Sequence, residues 1–235
     1  MKTNEQRLDD LMNFIDSLSR INAADILNSI LNSISRIDYI KTEEIPNIDL
    51  YMDQVTTFME EHLAASKRHP EDKILTKTMI NNYAKNNLLP PPEKKKYSRN
   101  HILLLTFIYY FKNVLSLRDI EQLLSPISER CFALGSRPEL ARLYEEIFSL
   151  EAEQRGRLVE DVKAKFASAM ETFSDENFPE FTEHADAGDR EYLRLFAFVC
   201  ELAFDVYLKK QMIELIAEEL RQETSSDGKR KKDRK

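Results

Sequence analysis

The scarcity of glycine constrains the fold more than any other feature of this sequence. Only four glycines occur among its 235 residues. Tight hairpin turns and phosphate-binding loops use backbone conformations that glycine adopts most readily. The shortage therefore argues against a sheet-based fold and against most nucleotide-binding folds. It predicts an all-α protein.

Apolar residues recur every three or four positions over long stretches, as they do in amphipathic helices. Helices are predicted over residues 4–37, 50–65, 76–86, 98–112, from Ser116, 138–173 and 189–222. The last is apolar nearly all round, which indicates burial between helices or in a dimer interface. Pro126 and Pro138 are expected to bracket a loop. The predicted divisions are a helical N-terminal segment (1–45), a central domain (46–126), a C-terminal helical bundle (127–223) and a disordered basic tail (224–235).

Several classes of protein are disfavoured by the sequence. No apolar run has the length of a membrane span, and the N-terminus lacks the apolar core of a signal peptide. We therefore expect a cytoplasmic protein that does not bind membranes. Cys131 and Cys200 lack metal-ligand spacing and are expected to be buried, reduced thiols. The cluster around His184 (residues 180–186) is more typical of a solvated loop than of a metal site. We expect no metal, no cofactor and no enzymatic activity.

Positive charge is concentrated in one segment of an otherwise acidic chain. The whole sequence carries 34 Lys and Arg against 41 Asp and Glu, a net charge of −7. Residues 67–101 contain nine basic and three acidic residues, so this segment carries +6 and the remainder −13. Such a segment is suited to contact a polyanion.

The order of predicted elements around this charge is that of a helix-turn-helix followed by a small wing. A helix over 50–65 precedes a loop, a short helix (76–86), a proline-rich turn with lysines, and a buried helix (98–112). A short helix of this kind enters the major groove of DNA, where amide side chains read base edges. Asn81 and Asn82 are predicted to contact bases, and Lys77, Thr78 and Lys85 to reach bases or backbone. Phosphate contacts are predicted for Lys94, Lys95, Lys96 and Arg99.

The stretch "LTKTMINNYAKNNLLPP" resembles the recognition element of MerR-type transcriptional regulators. That pattern runs approximately V-S-x-R-T-[LI]-R-Y-Y-E-x-x-G-L-L-x-P. The likeness is carried by Leu75, Thr76, Ile80, Tyr83, Leu88, Leu89 and Pro91. The following "YSRNHILLLTFIYYFKNVLSLRDIEQLL" resembles the next block of the family through Tyr97, Ser98, Ile102, Leu105, Ile108, Leu117, Ile120, Leu123 and Leu124. The resemblance covers about 50 residues and implies a winged helix-turn-helix.

The sequence departs from the MerR pattern at several positions. The usual arginines are replaced by Thr78 and Asn81, the first tyrosine by Asn82, and the glycine by Asn87. The wing is shortened to "PPEKKK". The family's base and phosphate contacts therefore do not transfer intact. The flanking "LYMDQVTTF" is more similar to a group of uncharacterised Gram-positive bacterial proteins classed as a domain of unknown function.

We therefore predict a bacterial transcriptional regulator, a repressor, that binds double-stranded DNA as a homodimer. The C-terminal helices would serve dimerisation or sensing, and a small-molecule effector fits this scheme. The alternative is a protein-interaction module that keeps the helix-turn-helix scaffold without binding DNA. Loss of the family arginines favours this alternative.

Overall fold

The computed structural model of the protein describes residues 22–37, 39–133, 139–178 and 187–232. Most of them are helical, which confirms the predicted all-α class. The helices are α1 (Ala23–Arg36), α2 (Met52–His62), α3 (Lys77–Lys85), α4 (Arg99–Phe111), α5 (Leu117–Cys131), α6 (Leu140–Ser149), α7 (Glu151–Glu171) and α8 (Ala187–Lys232). Two short strands, β1 (Leu50–Tyr51) and β2 (Lys96–Tyr97), and 3-10 turns at Thr42–Glu44 and Ala64–Ser66 accompany them. The predicted helix over 4–37 falls partly outside the described residues.

The described chain forms two compact units. The larger comprises residues 37–152 together with 208–232, and the smaller comprises 22–36 with 153–207. Helix α8 contributes residues to both units. It also includes residues 224–232, for which the composition predicts disorder.

The core of the larger unit is built around α4. All nine residues from His101 to Tyr109 are buried, as expected from their nearly continuous apolar character. A helix buried on every side needs neighbours on every side. Helices α5 and α6 and strand β2 supply contacts around it. Burial of α4 therefore fixes the elements that come before and after it in the sequence.

The segment before β1 is fastened to this core by Tyr144 of α6. Its hydroxyl donates a hydrogen bond to the carbonyl of Ile40 at 2.7 Å. The ring centroid lies 4.3 Å from that of Phe148 and 5.4 Å from that of Phe107. Burial raises the pKa of Tyr144, so its hydroxyl remains a donor at physiological pH.

Helix ends follow the capping chemistry that the sequence indicates. The Thr76 hydroxyl accepts a hydrogen bond from the backbone N–H of Met79 at 3.2 Å. Ser116 caps α5 in the same way, accepting from the N–H of Asp119 at 3.2 Å. Asn87, just beyond α3, has a φ of 58°, a left-handed conformation that asparagine tolerates after a helix.

The prediction that a loop begins at Pro126 is wrong, because Pro126 lies inside α5. Proline has no N–H to donate to the carbonyl one turn earlier, that of Gln122, so it disfavours a helix interior. Burial of Leu124 and Cys131 on either side of it offsets that cost. The predicted boundary after residue 126 consequently falls within a helix. The helix predicted over 138–173 is likewise divided at Leu150 into α6 and α7.

The smaller unit consists of α1, α7 and the first part of α8. Val162, Ala169 and Phe198 form its buried centre, and the apolar stripe of α1 packs against them: Leu27, Ile30, Leu31 and Ile34. Arg194 Nε donates to the carbonyl of Thr172 at 3.0 Å. This hydrogen bond ties α8 to the end of α7.

Two expectations, one about membrane-spanning segments and one about the cysteine thiols, are tested within the described ranges. None of the helices found there is long and apolar enough to cross a membrane. Cys131 is buried as expected, but Cys200 is exposed, so the prediction of burial is wrong for that residue. Cys200 lies on α8, which is apolar on its exposed side as well as on its packed side.

Candidate nucleic-acid interface

Helix α3 has one buried and one exposed face. Ile80 and Tyr83 are buried against the core. At about 100° of rotation per residue, the predicted contact residues of this helix occupy the opposite side. These residues are Lys77, Thr78, Asn81, Asn82 and Lys85, and all five are exposed. The structure therefore brings them together on one solvent-facing surface, called here the α3 face.

The loop that leads into α3 is held at both ends by charged side chains. Lys67 forms an ion pair with Glu60 of α2, and this hydrogen bond lowers the pKa of the Glu60 carboxyl. The other Glu60 oxygen accepts from the N–H of Ile74 at 3.4 Å. Lys112, at the end of α4, donates to the carbonyl of Ile74 at 2.8 Å. These contacts fix where α3 begins and so the direction in which its exposed face points.

One lysine of the α3 face has an acidic neighbour. The ammonium of Lys77 pairs with Asp53 in the first turn of α2. Their side chains are 60% and 76% exposed, so solvent and salt screen the pair and it contributes little to stability. A phosphate group is able to compete for Lys77.

The lysine-rich turn after α3 has an unusual backbone. The N–H of Lys96 donates to the carbonyl of Glu93 at 2.9 Å, closing a four-residue turn. Both central residues have positive φ, 49° for Lys94 and 63° for Lys95, as in a type I′ turn. Asparagine and glycine are preferred there, and a lysine costs about 1 kcal/mol at each position. This backbone conformation places two exposed lysines at the tip of the turn.

The strand that follows this turn forms a short antiparallel ladder with the residues before α2. Leu50 pairs with Tyr97, and Tyr51 pairs with Lys96. The predicted wing therefore contains a strand on one side only, and its partner comes from a segment 45 residues earlier. Helix α2 contacts both strands and α3. Because α2 packs against both, it holds the lysine-rich turn and the α3 face in one part of the fold.

Lys96 and Arg99 have contacts within the fold that the sequence did not indicate. The Lys96 ammonium lies 5.3 Å from the ring centroid of Tyr51. Arg99 Nη2 donates to the carbonyl of Thr42 at 2.6 Å, and its Nε is buried without a hydrogen-bond partner among the described residues. The structure thus separates the four predicted phosphate contacts into two exposed lysines at the tip and two partly buried cations at the base.

Replacing Lys95 with glycine is expected to stabilise the protein while removing a positive charge. Glycine adopts a φ of 63° without steric cost. The free energy of unfolding of Lys95→Gly should exceed that of Lys95→Ala by about 1 kcal/mol. Urea denaturation of the two variants measures this difference. Equal stability of the two would contradict the positive φ at this position.

His101 joins the end of the turn to α4. It is buried in the first turn of the helix, and its Nδ1 accepts a hydrogen bond from the N–H of Ser98 at 3.0 Å. The imidazole packs edge-on against Phe132, with ring centroids 4.9 Å apart. Burial lowers the pKa of His101, opposed by the carbonyls of Pro90 and Pro91 and by the charge of Asp49. The neutral imidazole is therefore the form that the fold stabilises.

Acidification should destabilise the protein through His101. Because the folded state disfavours the imidazolium, the unfolded state binds more protons once the pH falls through about 6.5. Stability then decreases with a slope of up to about 1.4 kcal/mol per pH unit from this group. His101→Gln keeps an acceptor for the Ser98 N–H and does not titrate. Urea denaturation between about pH 7.5 and 5.5 should show a smaller slope for the variant, and identical slopes would exclude His101 as a source.

A cavity of about 360 Å³ opens beside Arg99. Its lining includes Asp49, Asn100 and Glu139 as well as Arg99. Both signs of charge are present, so the lining favours no single class of ligand.

A known protein family matches the part of the larger unit that carries the predicted contact residues. Residues 40–147 match a family model described as Domain of unknown function (DUF1836). This stretch, called here the DUF1836 region, contains β1, β2, helices α2 to α5 and all nine predicted contact residues. The match confirms the resemblance to a domain of unknown function, while the MerR-type resemblance stays a prediction. No curated protein and no solved structure matches the chain significantly.

Proposed function

We propose that the DUF1836 region is a winged helix-turn-helix that binds double-stranded DNA sequence-specifically as part of a homodimer. In this proposal α2 and α3 form the helix-turn-helix, and α3 enters the major groove. The turn at residues 93–96 acts as the wing and lies along the phosphate backbone. The protein regulates transcription, and repression is the simplest outcome because a bound dimer occludes the DNA beneath it.

The chemistry of the α3 face is the observation that carries this proposal. The face combines two amides with two lysines and a threonine, with no carboxylate and no large apolar side chain. Paired donors and acceptors on Asn81 and Asn82 match the major-groove edge of adenine. Lys77 and Lys85 lie at the two ends of the helix, where they reach the phosphates that flank the groove.

The strained turn supports the same function. Backbone strain at exposed positions is typical of functional sites. The turn places Lys94 and Lys95 where glycine would be less strained, and it exposes both ammonium groups. Negative charge elsewhere in the chain repels DNA and so restricts contact to this region.

Lys96 and Arg99 are assigned different parts in the interface. The ammonium of Lys96 lies over the ring of Tyr51, which holds the lysine at the base of the turn. Arg99 holds the Thr42 segment, so its contribution to DNA binding is indirect. Tyr51 is exposed, and we include it in the proposed interface. The sequence pattern did not indicate this residue.

Selection from a library of random DNA duplexes tests sequence-specific binding even though the operator is unidentified. The purified full-length protein should enrich a two-fold symmetric consensus, because each recognition helix of a dimer reads one half-site. Enrichment without a consensus would leave only non-specific phosphate binding. A failure to enrich any duplex would overturn the proposal.

A protein-interaction module is the second candidate, favoured by two contacts. Lys77 is already paired with Asp53, and Arg99 is already bonded to Thr42, so fewer cations project freely than the sequence indicates. An interaction module would present the α3 face to a protein surface instead of DNA. Absence of DNA binding at low salt, where phosphate contacts are strongest, would favour this candidate.

A further inference from the structure

Helix α8 carries an exposed apolar stripe opposite the face with which it packs in the smaller unit. Phe198 and Leu202 point into the core of that unit. At about 100° per residue, the stripe lies on the far side of the helix. Its members are Tyr192, Phe196, Val199, Cys200, Ala203 and Tyr207, and all are exposed. The stripe contains no charged residue over a length of about 22 Å.

The described residues leave this apolar surface largely exposed, and its size lies at the upper end of the range found on monomers. Phe196 is 54% exposed, Val199 57% and Tyr207 56%. With about 150–250 Å² for each aromatic side chain, the stripe and its flanking residues present on the order of 600 Å². A standard interface buries about 800 Å² from each partner, whereas the largest apolar patch on a typical monomer is about 300–600 Å² and is often functional. The area is therefore close to that of a reversible dimer.

The spacing of the stripe is symmetric about its own centre. From Val199 towards the N-terminus the steps are three and four residues, to Phe196 and Tyr192. From Cys200 towards the C-terminus they are again three and four, to Ala203 and Tyr207. An isologous interface between two antiparallel helices requires this symmetry, because each position meets its mirror position on the partner.

The residues placed opposite one another under that symmetry are complementary in size. Phe196 meets Ala203 of the second copy, so a large side chain faces a small one at two equivalent places. Val199 meets Cys200, both of moderate volume, at the centre. Tyr192 meets Tyr207 at each end, where the hydroxyl groups remain in contact with water. Alternation of large and small residues lets paired helices approach closely.

We propose that this stripe is a homodimer surface, on which α8 of one copy packs antiparallel against α8 of a second copy about an axis between Val199 and Cys200. The proposal rests on the homodimer of the proposed function, and it specifies the surface through which that homodimer forms. It is tested without DNA, so its failure and a failure of DNA binding are separate results. An interface of this size lies among those of weak, reversible complexes, so dimerisation is measured over micromolar concentrations.

Sedimentation velocity of the full-length protein over a concentration series tests the surface. Phe196→Glu places two equivalent carboxylates in the proposed interface, and it should weaken dimerisation about a hundredfold or more. Leu158→Glu is the matched control, since Leu158 is an exposed apolar residue on α7 of the same unit. It should leave the monomer–dimer equilibrium unchanged. Ala203→Leu, which fills the small position opposite Phe196, should weaken the dimer without adding a charge.

Cys200 provides a second readout that does not depend on substitution of the stripe. Because it lies beside the proposed axis, a short bis-maleimide should link Cys200 to Cys200 of the second copy. Cys131 is buried and should not react. Cys200→Ser should abolish the covalent dimer seen after denaturing electrophoresis.

Three results would overturn the proposal. The wild-type protein remaining monomeric at about 100 μM would show that no second copy covers the stripe. A dimer that survives Phe196→Glu and Ala203→Leu would use another surface. A Cys200 thiol that resists maleimide in a monomer would mean that another part of the same chain, such as residues 1–21, covers the stripe.

Discussion

Replacing Lys94, Lys95 and Lys96 together with alanine is expected to weaken binding to every DNA sequence and to flatten its dependence on salt. Each phosphate contact that is removed reduces the steepness of log K against log salt by about 0.9. Lys94 and Lys95 project from the tip of the turn, whereas Lys96 is held over Tyr51. The slope should therefore fall by about 2 or slightly more, and affinity at low salt should fall roughly ten- to a hundredfold.

The matched control removes the same charge from another part of the protein. Three exposed lysines on α7 and α8 lie outside the proposed DNA interface: Lys163, Lys209 and Lys210. Their combined replacement with alanine should change the slope by much less than the turn variant does. Equal effects of the two triple variants would mean that net charge alone governs binding, and the wing assignment would then be wrong.

Replacing Asn81 and Asn82 with alanine is expected to remove sequence preference while leaving non-specific binding in place. A bidentate contact from an amide to a base discriminates by about 1–3 kcal/mol, which corresponds to roughly ten- to a hundredfold for each position on the preferred site. Alanine is a good helix former, and both side chains are exposed, so α3 should stay folded. Binding to a scrambled duplex should be nearly unchanged.

Asn28→Ala is the control for this prediction. Asn28 is an exposed amide on α1 in the smaller unit. The ratio of affinities for the selected and scrambled duplexes should match that of the wild type. If the Asn81 and Asn82 variant keeps that ratio too, the α3 face does not read bases.

Local rules of chain conformation account for what could be predicted from the sequence. Scarcity of glycine and apolar spacing indicate helices, and Thr76 and Ser116 mark helix starts because their hydroxyls satisfy free N–H groups. The exposed α3 face follows from the spacing of Ile80 and Tyr83 alone. A helix with two buried residues in its middle must turn the intervening polar residues towards solvent.

The remaining features depend on contacts between residues distant in the sequence. Arg99 bonds to a carbonyl 57 residues earlier, and Lys96 meets the ring of Tyr51 only because β1 and β2 pair. No local pattern indicates either contact. Pro126 suggests a break by its local chemistry, and the packing of α5 overrides it. The positive φ of Lys94 and Lys95 runs against the preference of lysine, so a turn of that type was not predictable from residue type.

Fluorescence anisotropy with labelled duplexes at two salt concentrations tests sequence-specific DNA binding most directly. The full-length protein is titrated against DNA from upstream of its own gene and against a scrambled duplex of the same composition. We predict tighter binding to the native fragment and weaker binding to both duplexes at the higher salt concentration. No change in anisotropy at low salt, where even non-specific phosphate contacts register, would contradict a DNA-binding function.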